Sequence, residues 1–206
     1  MTDMGERVDL RAVMVRSLIS GVEAGINIAL LVSDSTSTAS AGPFAERFPE
    51  RLVNVGIAEQ NLLGVAAGMA LGGFVAVTAN AAPFALSRAN EQLKNDICYS
   101  ETNVKVVGLN AGFAYGSLGS THHAIDDVSI VRGLGNIRIF APADALECAQ
   151  VFEHALRTPG PVYVRLDNAK YPAVHGPSYR FREGAVDVLR RGEDAVIFSL
   201  GSVTWE

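Results

Sequence analysis

Two parts of this sequence carry residue types suited to chemistry: a glutamate at the start of an apolar helix, and a pair of histidines in a glycine-rich loop. Glu59 lies in Asn54-Val-Gly-Ile-Ala-Glu-Gln-Asn-Leu-Leu-Gly-Val-Ala-Ala-Gly-Met-Ala-Leu71. On a helical period it shares a face with Leu62, Leu63, Ala66 and Ala70. Gln60, Gly64 and Gly68 form a second stripe, small enough to admit another backbone. A helix apolar nearly all round is expected to be buried. A carboxyl group there must be neutral or be paired with a group that wants it. An ordinary first-turn acid, compensating a helix N-terminus, is the simpler alternative, but it fits poorly where no polar face remains.

The second part is Asn110-Ala-Gly-Phe-Ala-Tyr-Gly-Ser-Leu-Gly-Ser-Thr-His122-His123. It follows a strong strand, and loops at the carboxyl ends of parallel strands are where α/β sheets bind ligands. It has no Gly-Lys-Ser/Thr, so it is not a nucleoside-triphosphate loop. Adjacent histidines rarely reach one ion, and no cysteine or glutamate nearby has ligand spacing, so no metal site is expected on this chain. A neutral histidine can move protons near neutral pH; the plainer alternative is a loop histidine bonded to backbone.

The elements that must position these residues are legible as alternation. Short, uniformly apolar runs at 28–32, 52–55, 74–78, 104–109, 137–140 and 162–166 suit strands covered on both faces. Helical patterns at 10–23, 57–71, 85–99 and 145–156 lie among them, the last opened by Pro142 and Asp144. This predicts a doubly wound α/β domain with a mainly parallel sheet flanked by helices. The chain has 206 residues, 49% hydrophobic and 19% charged, with net charge −5 and no basic cluster. That excludes a disordered chain and argues against nucleic acid as a partner. Residues 62–86 carry no charge, but Gly72-Gly73, Asn80 and Pro83 interrupt them, so a buried helix and strand are read there and no membrane span. Cys98 and Cys148 are the only cysteines, and with no signal-peptide pattern in view a reducing, cytoplasmic setting fits.

The segment from Asn54 through Gln60-Asn61, with its Gly/Ala-rich helix, closely resembles the pyrimidine-binding domain of transketolases, especially split ones. Related segments occur in deoxyxylulose-phosphate synthases and in the beta subunits of 2-oxoacid dehydrogenases. The resemblance runs from about Arg11 to the end of the chain and implies thiamine diphosphate as cofactor. It implies that Glu59 bonds N1′ of the aminopyrimidine, favouring the imino form whose 4′-nitrogen takes the thiazolium proton. By the same resemblance Phe84 stacks on the pyrimidine, Asp34 lies near the cofactor at the end of the first strand of the sheet, and His122 reaches the substrate. His123 stands where the family has a glutamine. On residue type alone, Phe84 is a core aromatic and Asp34 a turn former.

Departures from the family bear on substrate. Arg11 matches a phosphate-binding arginine and Thr38 a serine, whereas a second arginine is replaced near Asn168, with Arg165 close by in sequence. Arg11 also reads as a solvated charge on an amphipathic helix. Asn110 and Leu118 stand where a histidine and an aspartate usually meet substrate hydroxyls, and Leu118 cannot accept a hydrogen bond. A sugar or sugar-phosphate-like substrate of unusual pattern is therefore expected. No Gly-Asp-Gly occurs in the chain. The resemblance thus implies a separate diphosphate-binding subunit carrying that motif and its Mg2+ or Ca2+, in a homodimer or dimer of heterodimers. A decarboxylating synthase or dehydrogenase subunit, and a non-catalytic partner, are the alternative readings. Residues 1–175 are read as the pyrimidine-binding domain. Residues 176–206 are read as a connector and the beginning of a truncated further domain, with strands expected at 185–189 and 195–200.

Overall fold

Apolar strands that cannot leave either face in water need helices on both sides, and the structure supplies them. The computed structural model describes residues 6–206. In chain order it contains β1 (Val8–Asp9), α1 (Leu10–Glu23), β2 (Ile28–Val32), α2 (Gly42–Arg47), β3 (Leu52–Asn54), α3 (Glu59–Leu71) and β4 (Val75–Ala81). A π-helical turn at Phe84–Arg88, α4 (Asn90–Gln92) and a second π-helical turn at Leu93–Tyr99 follow. The rest comprises β5 (Val104–Leu109), α5 (Asp127–Arg132), β6 (Arg138–Phe140), α6 (Ala145–Arg157), β7 (Val162–Arg165) and β8 (Lys170–Tyr171). The six-stranded sheet has the order β3-β2-β4-β5-β7-β6, and every pairing in it is parallel. β1 and β8 form a separate antiparallel pair.

Because the strands are parallel, all their carboxyl ends open on one edge. From β2 the chain runs to β3 on one side, then crosses back to β4 on the other. The crevice between β2 and β4 is therefore the topological switch point, where such sheets bind ligands. One face of the sheet packs Val77, Val107 and Val164 against α1 and α6. The other packs Leu31, Val106 and Tyr163 against α3, the π-helical turns and α5.

Three expectations differ from what is observed. The single helix expected at 85–99 is divided into wide π-helical turns around α4. Pro83 directly precedes the first wide turn, which sets Arg88 above Phe84. The helix expected to be buried all round keeps one side open: Gln60, Asn61, Gly68 and Leu71 are exposed, and no backbone packs on the Gly64–Gly68 stripe among the described residues. The strands expected at 185–189 and 195–200 do not form, and Val186, Val196, Ile197 and Phe198 are exposed. A strand without a sheet neighbour leaves its ladder unpaired, so these runs form no strand. The turn Gly201–Trp205 docks back, with Ser202 Oγ donating to Asp167 at 2.6 Å.

Two buried ionisable side chains lock the frame, Asp144 and Lys105, the latter with its pKa pushed down to about 7 by burial and by the nearby Arg138. Lys105 donates to Asn103 Oδ1, Thr158 O and Gly160 O, each at 2.7 Å, so all three ammonium hydrogens are used. Asp144 caps α6 through Glu147 N–H and also accepts from Val174 and His175 N–H, strapping the segment after β8 to the helix. Burial alone would raise its carboxyl pKa, but these backbone donors outweigh burial and hold it below the ordinary 3.8. Replacing Lys105 with Met strands two backbone carbonyls and the Asn103 side-chain oxygen and is expected to cost about 3 kcal/mol in urea unfolding, whereas an exposed lysine-to-methionine change costs little. Asp144→Ala is expected to lose about 2 kcal/mol at neutral pH. Because the native carboxyl titrates below 3.8, that stability is present above 3.8 and disappears as pH falls through the native value. Thermal melts of the two proteins should therefore converge in acid.

Candidate active site

Glu59 is the first residue of α3, and the path leading to it is fixed by side chains from the neighbouring strand. Ser33, just past β2, donates from Oγ to Gly56 O at 2.7 Å and accepts from Ala58 N–H at 3.0 Å. Asn54 Oδ1 accepts from the N–H groups of Asp34 and Gly56, both at 3.0 Å. These bonds tie the turn before α3 to the end of β2. Glu59 itself is only 3% exposed. Arg88 Nη1 donates to Glu59 Oε2 at 2.7 Å. The Arg88 guanidinium carbon also stands 4.4 Å from the centroid of the Phe84 ring.

The histidine loop joins this group from β5. Its two limbs are paired at Gly112 and Ala124. Its outer limb is anchored from β7, where Arg165 Nε donates to Asp127 Oδ2 at 2.7 Å and Nη2 to Ala124 O at 3.4 Å. Tyr163 Oη donates to the same Asp127 oxygen at 2.9 Å. Tyr163 reaches it only because Gly108 has no Cβ, which would collide with the phenol. The loop so held presents His122 edge-on to Phe84, with ring centroids 5.1 Å apart, and to Tyr115 at 5.3 Å. Thr121 Oγ1 lies 3.0 Å from His122 Nδ1. His123 turns back into the loop, where its Nε2 is 2.9 Å from Gly116 O. A carbonyl only accepts, so Nε2 is the donor. Asn110 takes a left-handed conformation, φ 58°, and its buried Oδ1 has no partner among the described residues. Thr78 Oγ1 and Asn80 Nδ2 on the adjacent β4 are likewise unpaired.

The structure thus gathers Glu59, Phe84 and His122, with Asn110 at the base of the loop. Asp34, also at positive φ, stands at the end of β2 but lines a different space. Together with Arg16, Thr36, Ser37 and Pro43 it borders a cavity of about 740 Å3 between α1 and the segment leading to α2. Arg11 is a strap. It grips Asp9 through Nε and Nη2 at 3.0 and 2.7 Å, and donates to Thr38 O and Asn168 O, both at 3.2 Å. Arg11 and Thr38 therefore do meet, but through the Thr38 backbone. Arg165 faces inward to Asp127, away from any role as a replacement phosphate ligand. Leu118 is exposed in the loop. Sequence reasoning missed Arg88, Ser33 and the Asp127–Tyr163–Arg165 group. Only Arg88 carried a usable signal, its spacing of four from Phe84.

Among the described residues, no helix is long and apolar enough to cross a membrane. The family described as transketolase, pyrimidine binding domain, matches residues 6–174. The chain is 53% identical over 203 residues to one subunit of an apulose-4-phosphate transketolase from Actinobacillus succinogenes, spanning 98% of this chain and 65% of that one. It is 34% identical to the subunit of the same name from Phocaeicola vulgatus, over 87% of this chain and 58% of that one. A solved split-gene transketolase, described as an inactive beta4 tetramer, superposes with a TM-score of 0.85 at 37% identity, over 96% of this chain and 64% of that one. The chain therefore spans less than two thirds of each of these relatives. Sheet order, the buried glutamate at the switch point and these likenesses agree that the chain belongs to the transketolase pyrimidine-binding domain family.

Proposed function

We propose that this chain belongs to a subunit of a thiamine-diphosphate-dependent transketolase and supplies the glutamate that activates the cofactor's aminopyrimidine. The observation that carries this reading is a buried carboxylate at the switch point, sharing its neighbourhood with an aromatic ring and a histidine. The residues present fit an aminopyrimidine: Glu59 is an acceptor for a ring N–H, Phe84 offers a flat apolar face, and the unclaimed Oδ1 of Asn110 and Nδ2 of Asn80 are polar groups still to be satisfied. When bound, thiamine diphosphate supplies the nucleophilic carbon needed to break and make bonds beside a ketone.

The chain's own residues do the rest. Glu59, anchored at the helix start, shares a proton with the ring nitrogen, and its dry setting strengthens that bond. Phe84 positions the ring. His122, held by Phe84, Tyr115 and Thr121, moves a proton at the substrate hydroxyl or carbonyl oxygen. Asp34, at the end of β2, borders the separate cavity beside α1 and takes no part in holding the ring. His123 and Asn110 shape the loop against the substrate, while Arg11 and Thr38 act through the loops they tie together. The diphosphate and its Mg2+ or Ca2+ belong to a separate subunit carrying Gly-Asp-Gly, in a homodimeric or dimer-of-heterodimers assembly.

The substrates are a ketose donor and an aldose acceptor that exchange a two-carbon ketol unit. The likeness to the apulose-4-phosphate transketolases supports a phosphorylated ketose of that kind. Leu118 in the loop agrees with a hydroxyl pattern unlike that of the common pentose phosphates. Recovery of the chain with a Gly-Asp-Gly subunit and stoichiometric thiamine diphosphate, together with ketol transfer from such a ketose, tests this reading. Carbon dioxide release from a 2-oxoacid would replace it with a decarboxylating one. Glu59→Gln keeps shape and polarity but cannot exchange a proton, so turnover of the assembled enzyme should fall at least about 100-fold with assembly unchanged. His122→Asn should lower kcat by about 10- to 100-fold while cofactor affinity, measured by titration calorimetry, stays within a factor of two or so.

A further inference from the structure

Arg88 makes two contacts that no part of the proposed mechanism uses. Its Nη1 occupies Glu59 Oε2 at 2.7 Å, and its guanidinium carbon lies 4.4 Å from the Phe84 ring centroid. Both contacts come from one geometric fact. Phe84 and Arg88 are the two ends of a single π-helical turn, a wide turn of the kind often found at functional sites. The turn places the long arginine stem beside the ring and aims its head at the start of α3. Glu59 is almost wholly buried, its side chain 4% exposed, whereas Arg88 is 44% exposed. The arginine thus reaches in from solvent to a carboxylate that cannot reach out.

A guanidinium is flat, has a delocalised face that stacks on aromatic rings, and donates N–H groups in its own plane. A protonated aminopyrimidine has those same features. Glu59 and Phe84 are the pair to which the proposed function assigns the cofactor's ring, and the inference rests on that assignment. We infer that Arg88 is a cofactor-selecting residue whose guanidinium competes with the aminopyrimidine for the Glu59 carboxylate and the Phe84 face.

The competition has a physical consequence on each side. Without any partner, a buried Glu59 carboxylate would be costly, so the arginine keeps the site folded and closed to ligands that satisfy only one of the two groups. A ring that stacks on Phe84 but offers no N–H to Glu59 does not displace the ion pair. A ring offering both does, and the displaced guanidinium swings toward the solvent it already half faces. Cofactor affinity is then the gross affinity of the ring less the cost of evicting Arg88.

The alternative is that Arg88 stays in place and orients Glu59 for the ring, and the two roles predict opposite signs. Thiamine diphosphate is titrated calorimetrically into the chain assembled with its diphosphate-binding subunit, for wild type, Arg88→Leu and Arg88→Lys. Competition predicts that Arg88→Leu binds roughly 10-fold more tightly than wild type, the loss of one partly exposed charged hydrogen bond and one cation–π contact. Arg88→Lys keeps a charge but loses the flat face, so it should fall between the two and keeps the test alive if the leucine variant does not fold. Unchanged or weaker binding in the variant that folds overturns the inference and makes Arg88 a positioning residue. The proposed function is judged separately by the wild type. If wild type in a verified assembly binds no thiamine diphosphate, the assignment of Glu59 and Phe84 fails, and the inference falls with it.

Discussion

The burial of one carboxylate governs much of this structure. Glu59 begins an apolar helix beside the switch point of a parallel sheet, where water is scarce and an unpaired charge would be expelled or neutralised. The fold resolves this with a counter-charge brought in from outside, along a π-helical turn, while the carboxylate remains inside. Its position is then enforced by the stitching of β2 to the turn before α3 through Ser33 and Asn54. A charged side chain on a flexible loop would relax toward solvent; one at the head of a packed helix cannot.

The parallel sheet supplies the second constraint. It brings the ends of β2, β4, β5 and β7 to one edge, so residues far apart in sequence arrive together there. The loop bearing His122 is the longest excursion at that edge, and it is held at its base by a buried polar group. Arg165 and Tyr163 share one carboxylate oxygen of Asp127 beneath it. Breaking such a buried ion pair by removing one partner costs about 3–5 kcal/mol, a penalty large enough to keep the loop in register. Arg11 plays a similar part on the other face, tying β1, the turn after β2 and the loop after β7. Charged residues that looked like ligand-binding groups in sequence are thus partly the means by which the site is assembled.

A good deal of this was legible in the residues alone. The apolar runs set the strands, because a strand covered on both faces must be apolar throughout, and β2 and β5 fall where those runs lie. Helical periodicity located α1 and α6 nearly to the residue, and a polar residue on an apolar face marked Glu59. Local patterns suffice where the interaction that decides them is local or averages over a face.

What pairs with what was settled in three dimensions. That Glu59 meets Arg88, that His122 faces Phe84 while His123 turns into its own loop, and that Arg11 is gripped by Asp9 all depend on where separate elements come to rest. The split of the 85–99 helix into wide turns, and the failure of the 185–189 and 195–200 runs to become strands, have the same origin. A π-helical turn is kept by contacts at its ends, and a strand exists only where a neighbour completes its hydrogen bonds. Periodicity reports which face a residue occupies; a partner across space is fixed by packing.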